Sequence, residues 1–144
     1  MRPILLLALA PLLLAPLAQA YECNNTTQTD MSLCANFQHK AADKELNALY
    51  QQINQRLKDQ PHSKKLLVSA QRAWVAFRDA ECSFSTSGVE GGSLYPVAYS
   101  NCITALTKTR VESFKQYLQC KEGDLSCPVP VSYTHLTLPT KRIV

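Results

Sequence analysis

Apolar positions recur at helical spacing along three stretches of the chain. The first spans Met31 to about Lys58, where Cys34, Phe37, Ala41, Leu46, Leu49, Tyr50, Ile53 and Leu57 share a stripe. Asp43, Lys44 and Glu45 occupy the opposite face. Asp30 or Thr29 is placed to cap this helix by accepting a hydrogen bond from an unpaired amide. Pro61 forbids its continuation, and Ser63 is available to cap a second helix over Lys64 to about Phe84. The second stripe comprises Leu67, Ala70, Trp74, Phe77 and Phe84, with alanines at 70, 73, 76 and 80 that let neighbouring helices approach the Trp74 and Phe77 rings. Loss of either ring is therefore expected to cost about 3–5 kcal/mol. A run holding three of the four glycines, Ser85 to Tyr95, reads as a surface loop. Pro96 then opens a third helix carrying Val97, Tyr99, Cys102, Ile103, Leu106, Phe114, Tyr117 and Leu118, ending near Cys120. Lys121 to Cys127 is turn-rich. With no β-rich segment to rival these helices, the pattern predicts an all-α, antiparallel three-helix bundle.

Both ends carry a different signal. Residues 1–20 combine one positive charge at Arg2, an apolar run and a closing Ala18-Gln19-Ala20, which reads as a secretory signal peptide. Cys23 is the third position after that cut, so no lipid-bearing cysteine follows it and no membrane anchor is expected after cleavage. The protein is expected to be periplasmic or secreted. At the other end, Val131 to Thr140 can be written GTC TCT TAT ACA CAT CTG ACG CTG CCG ACG. That string matches the transposase mosaic end and adaptor of sequencing libraries. Its continuation through an index into GTG TAG would give a valine and a stop, which fits Val144 as the last residue. Residues 131–144 are therefore read as adaptor read-through, leaving residues 21–130 as a single helical domain, and His135 is set aside.

These boundaries change the charge picture. Arg2, Lys141 and Arg142 drop out of the fifteen basic residues, so twelve remain against eleven acidic ones, a net charge of +1. No electrostatic case for nucleic acid survives. All six cysteines, Cys23, Cys34, Cys82, Cys102, Cys120 and Cys127, fall in the retained region, an even count that argues for three disulfides in an exported chain. Fifteen pairings are possible; proximity and the helix layout favour Cys23 with Cys34, Cys82 with Cys102, and Cys120 with Cys127. Metal binding is disfavoured, because no cysteine pair has C-x-x-C spacing and His39 and His62 stand alone and read as surface residues. No cofactor is implied.

Catalysis is not expected. The chain has no G-x-S-x-G element and no phosphate loop, and Asp79 and Glu81 point to different sides of their helix, leaving Asp43 as the conceivable partner for Glu81. Arg72, Arg78, Asp79 and Glu81 surround Trp74, and Arg78 and Glu81 are spaced to pair. These charges either edge the buried stripe or form a recognition patch.

A set of residues carries a family resemblance. Cys34, Ala41, Asp43, Lys44, Leu46 and Asn47 precede Tyr50; Ala70-Gln71-Arg72-Ala73-Trp74 leads into Phe77-Arg78-Asp79-Ala80-Glu81-Cys82; Gly91-Gly92-Ser93 precedes Pro96; and Cys102 is followed by Thr107 and Arg110. Together they resemble the LprI-type lysozyme-inhibitor domain over roughly Cys34 to Leu118. The resemblance implies a small, exported, helical bacterial protein with paired cysteines and a protein partner, lysozyme being the one expected. Lysozyme cleaves with a carboxylate pair in a cleft, so an inhibitor needs a protruding plug. The loop between Cys82 and Cys102 is the candidate: Gly88, Glu90, Ser93, Leu94 and Tyr95, with Arg72 and Arg78 on the adjacent helix as further partner-binding residues. The alternative is an accessory interaction module without a lysozyme target.

Overall fold

A computed structural model describes residue 23, residues 26–121 and residues 123–131. The expected signal peptide lies outside the described residues, as do residues 132–144 of the expected read-through tail. Three helices and one short turn of 3-10 helix make up the described chain: α1 (Gln28–Arg56), α2 (Pro61–Ser85), the 3-10 turn (Ser87–Val89) and α3 (Tyr95–Leu118). All three disulfides join the expected partners, Cys23 to Cys34, Cys82 to Cys102 and Cys120 to Cys127.

The helices start slightly earlier than their caps suggest in sequence. Thr27 caps α1, its hydroxyl accepting from the amide of Asp30 while the Asp30 carboxylate accepts from the Thr27 amide, a reciprocal capping box. The Thr26 and Thr27 hydroxyls donate to the same carboxylate at 3.0 and 2.7 Å. These bonds, led by that from Thr27, hold the Asp30 carboxyl below its ordinary value of 3.8. Pro61 itself forms the first turn of α2, where its missing N–H costs nothing, so Ser63 lies inside the helix rather than capping it. Pro96 plays the same part in α3.

Helices α1 and α3 run parallel, and α2 returns between them in the chain. At one end the Gln28 side chain donates to the Ser93 carbonyl at 2.7 Å; at the other Arg56 donates to the Leu118 carbonyl at 2.8 Å. Lys115 of α3 joins Glu45 of α1 and Glu112 of its own helix, each at 2.9 Å. The hydrogen bond that Lys115 donates to Glu112, then that to Glu45, raises the Lys115 pKa above its ordinary 10.5.

The core lies mainly between α1 and α3. Leu46, Ile53 and Leu57 of α1 meet Val111 and Phe114 of α3, and Val129 of the C-terminal segment closes the lower end. Further up, Ala35, Ala42, Thr104 and Thr107 keep the seam narrow. His39 belongs to this seam by spacing. It is not the surface residue expected: it is half-buried, with Nδ1 shielded and unpaired among the described residues, as is the hydroxyl of the fully buried Thr107.

Helix α2 contributes least to burial. It packs chiefly on α3 and buries one residue fully, Cys82, while Leu67 and Trp74 cover the core from its edge. This corrects the expected roles of two rings. Trp74 is half-buried against the core, but Phe77 is 55% and Phe84 78% exposed. At about 100° per residue, Phe77 lies roughly 60° and Phe84 roughly 80° from Trp74 round the helix, on a flank that also carries Leu66 and Ala70. A bundle closed on both sides of α2 would cover that flank; here α1 turns its apolar stripe to α3 instead. Phe37, expected in the α1 stripe, is likewise 46% exposed, and Ala41 is exposed while Ala42 is buried.

Three outcomes follow from this packing. Phe114→Ala should destabilise by about 3–5 kcal/mol and Phe77→Ala by under about 1 kcal/mol, measured by denaturant unfolding. Replacing Cys82 and Cys102 together by serine should cost about 3 kcal/mol in the chain-entropy account, read by the same titration. The Asp30 carboxylate is bound more tightly in the folded chain than in the unfolded one, so its contribution is present above pH 3.8 and is lost as pH falls through its lowered folded value. The Tm difference between the native chain and Asp30→Asn should therefore shrink in thermal melts taken at successively lower pH.

Candidate functional site

The segment between α2 and α3 is built from successive tight turns. Thr86 ends α2, its amide and hydroxyl both donating to the Cys82 carbonyl, the hydroxyl at 2.6 Å. The amides of Val89, Gly92 and Tyr95 then donate in turn to the carbonyls of Thr86, Val89 and Gly92 at 3.0–3.2 Å. Each bond spans three residues, so the loop is a short staircase rather than an open span. Gly91 makes the staircase possible with φ +76, a left-handed conformation that a side chain would strain. Gly92 is fixed by space, since a Cβ there would meet the Val89 carbonyl oxygen at 3.0 Å.

Two external ties hold the staircase. Cys82–Cys102 clamps the end of α2 to the second turn of α3, with Cα atoms 5.6 Å apart. The Gln28 side chain fixes the Ser93 carbonyl from α1. Gly88, Glu90, Ser93 and Leu94 are gathered on this end of the molecule and exposed, with Val89 beside them. Tyr95 is different: it starts α3, is half-buried, and packs on Tyr99 with ring centroids 5.8 Å apart.

The two arginines are not brought to that end as a pair. Arg72 is exposed and lies ten residues before Cys82, about 15 Å along α2. Arg78 is 14% exposed at its side chain and pairs with Asp79 at 2.8 Å, not with Glu81. Its guanidinium sits 5.2 Å from the Trp74 ring centre. Arg110 of α3 approaches the same indole at 5.8 Å and the Phe114 ring at 4.7 Å, while its Nε donates to the Gln71 side chain at 3.2 Å. Trp74 thus carries two guanidinium contacts, each worth about 0.5–2 kcal/mol depending on desolvation. Arg110 reaches across from α3 to Gln71 and Trp74 and ties the two helices together, whereas Arg78 pairs and stacks within α2.

Asp43 accepts from Asn47 on its own helix, and no hydrogen bond or ion pair joins it to Glu81 among the described residues. No group of three or more His, Cys, Asp or Glu side chains that could hold a metal ion occurs among the described residues. No helix among them is long and apolar enough to cross a membrane.

Two features are absent from the sequence reading. One is the exposed apolar flank of α2, which periodicity assigns to the core because it lies beside the buried residues. The other is a cleft of about 270 Å³ where the N-terminal half of α2 leans over the lower core. Its walls come from all three helices and the C-terminal segment together, a meeting for which helical spacing gives no signal.

Comparison with known proteins places this architecture. The chain matches the family model "Lysozyme inhibitor LprI" over residues 22–114. It is 31% identical over 108 residues to an uncharacterised protein of Rhizobium meliloti strain 1021, covering 67% of this chain and 78% of that one. A crystal structure of a DUF1311 family protein from Pseudomonas putida KT2440 superposes with a TM-score of 0.59 at 26% identity, over 65% of this chain and 95% of the other. The turn staircase, the Cys82–Cys102 clamp and the Trp74 helix all lie within the matched span, and this chain belongs to the LprI lysozyme-inhibitor family.

Proposed function

We propose that this protein is an exported inhibitor that binds lysozyme and blocks its cleft with the turn staircase between α2 and α3. The observation that carries this reading is the staircase itself. It is fixed at both ends and by its own hydrogen bonds, yet it presents Val89 at 43% and Leu94 at 50% exposure. Ordering a loop before binding removes a cost that a flexible loop would meet on the target. Leu94 and Val89 supply apolar contact, the Ser93 hydroxyl offers a hydrogen bond to the cleft carboxylates, and Glu90 faces basic residues on the rim of a cationic lysozyme. Phe84, 78% exposed at the foot of the staircase, widens the apolar surface. The expected plug residues Gly88, Glu90, Ser93 and Leu94 keep their role in this reading. Tyr95 supports the loop from behind, and Arg72 and Arg78 stand outside the contact.

A second reading has its own observation. Phe77 and Leu66 are exposed along α2 away from the staircase, so a partner other than lysozyme could dock along that helix, as an accessory interaction module would require. Both readings describe a periplasmic or secreted binding protein without catalytic chemistry.

Lysis of bacterial walls by chicken-type lysozyme separates them. Under the inhibitor reading, purified protein protects the walls, and Leu94→Asp raises the half-inhibitory concentration at least about tenfold while Phe77→Ser leaves it unchanged. Unchanged lysis at micromolar excess removes chicken-type lysozyme as the target.

A further inference from the structure

We infer that the cleft under the N-terminal half of α2 is a binding site for a small amphipathic carboxylate of the medium-chain fatty-acid class, with Arg110 as the anion-binding group. The walls are apolar, formed by Leu57 of α1, Leu66 and Leu67 of α2, and Val129 of the C-terminal segment. Polar character is confined to a few side chains, chief among them Arg110 and Tyr117 of α3. An apolar cleft with a few fixed polar groups is the usual form of a small-molecule site. The cleft's volume of about 270 Å³ lies near the lower end of the range for small-molecule sites, about 300–1,000 Å³, which suits a short chain.

The charge balance selects the head group. Arg110 is half-buried and makes one hydrogen bond to protein, from Nε to the neutral Gln71 side chain. Among the described residues its remaining N–H groups have no acceptor and no Asp or Glu lines the cleft. The guanidinium is nevertheless held in place, stacked near Phe114 and Trp74. A positioned, partly desolvated guanidinium without a counter-ion is complementary to a carboxylate, which it can meet with two parallel hydrogen bonds. Tyr117 lies seven residues further along α3, about 10.5 Å away along the helix, so the cleft extends from the cation toward an aromatic end. A charged head followed by a short apolar tail fits this arrangement; a fully apolar or fully polar ligand leaves one part of it unmatched.

The chain's single tryptophan sits against the Arg110 guanidinium, so occupancy is readable from its emission. The intact protein would be titrated with octanoate, 1-octanol and acetate, following Trp74 fluorescence and binding heat. Saturable octanoate binding is expected, at least about tenfold tighter than octanol, with no response to acetate. Arg110→Met should abolish the preference for octanoate over octanol, and Ala70→Phe, which fills the cleft from an exposed helix position, should weaken both ligands, with helix content checked by circular dichroism. Equal affinity for octanol and octanoate in the native chain overturns the assignment, as does the absence of saturable octanoate binding. A folded Arg110→Met variant that keeps the preference overturns it as well.

Discussion

The structure depends on how α2 is attached. Helices α1 and α3 bury their apolar stripes against each other and need little from a third helix. What holds α2 is a covalent clamp at one end, Cys82–Cys102, and a stack in the middle, where the Trp74 indole lies between α2 and the Arg110 and Phe114 side chains of α3. The clamp shapes the staircase above it, and the stack determines how far α2 stands off the lower core below it.

That division explains why large apolar side chains can lie exposed along α2 on so small a protein. A helix bundle closed on all sides would spend Leu66, Phe77 and Phe84 on its own core. Here the core is completed by Val129 from the C-terminal segment, leaving the flank of α2 outside. The exposed rings are therefore tolerated by a fold whose stability lies elsewhere.

Much of the architecture was legible in the sequence because it is governed by local rules. The three helices follow from apolar spacing; Pro96 marks a helix start through the freedom of the first turn, while Pro61, expected only to break the first helix before a Ser63 cap, itself opens α2. The cysteine pairs follow from chain proximity once the helices are placed. Less legible was anything decided by the tilt of one helix against another. Phe77 and Phe84 share the apolar pattern of Trp74 and Leu67, and no property of the residues separates rings that face α3 from rings that face away. His39 looked solitary in sequence because its partial burial arises from the packing of α1 in the fold, which spacing alone does not reveal. The loop's candidate residues were found as a segment, but the hydrogen-bond ladder that stiffens them, and that turns Tyr95 inward, exists only in three dimensions. The Arg110 contact needed Gln71, Trp74 and Phe114 to meet from two helices.

The Cys82–Cys102 clamp has a bearing on the chain's history as well as its shape. With its thiols still apart, α2 is left with the indole stack as its main hold, so the reduced chain is a parallel α1–α3 pair with a loosely held arm. Oxidation of that one pair is the step that couples the loosely held helix, and the turn staircase above it, to the rest of the fold, so the rigidity of the staircase is tied to the redox state of the surroundings.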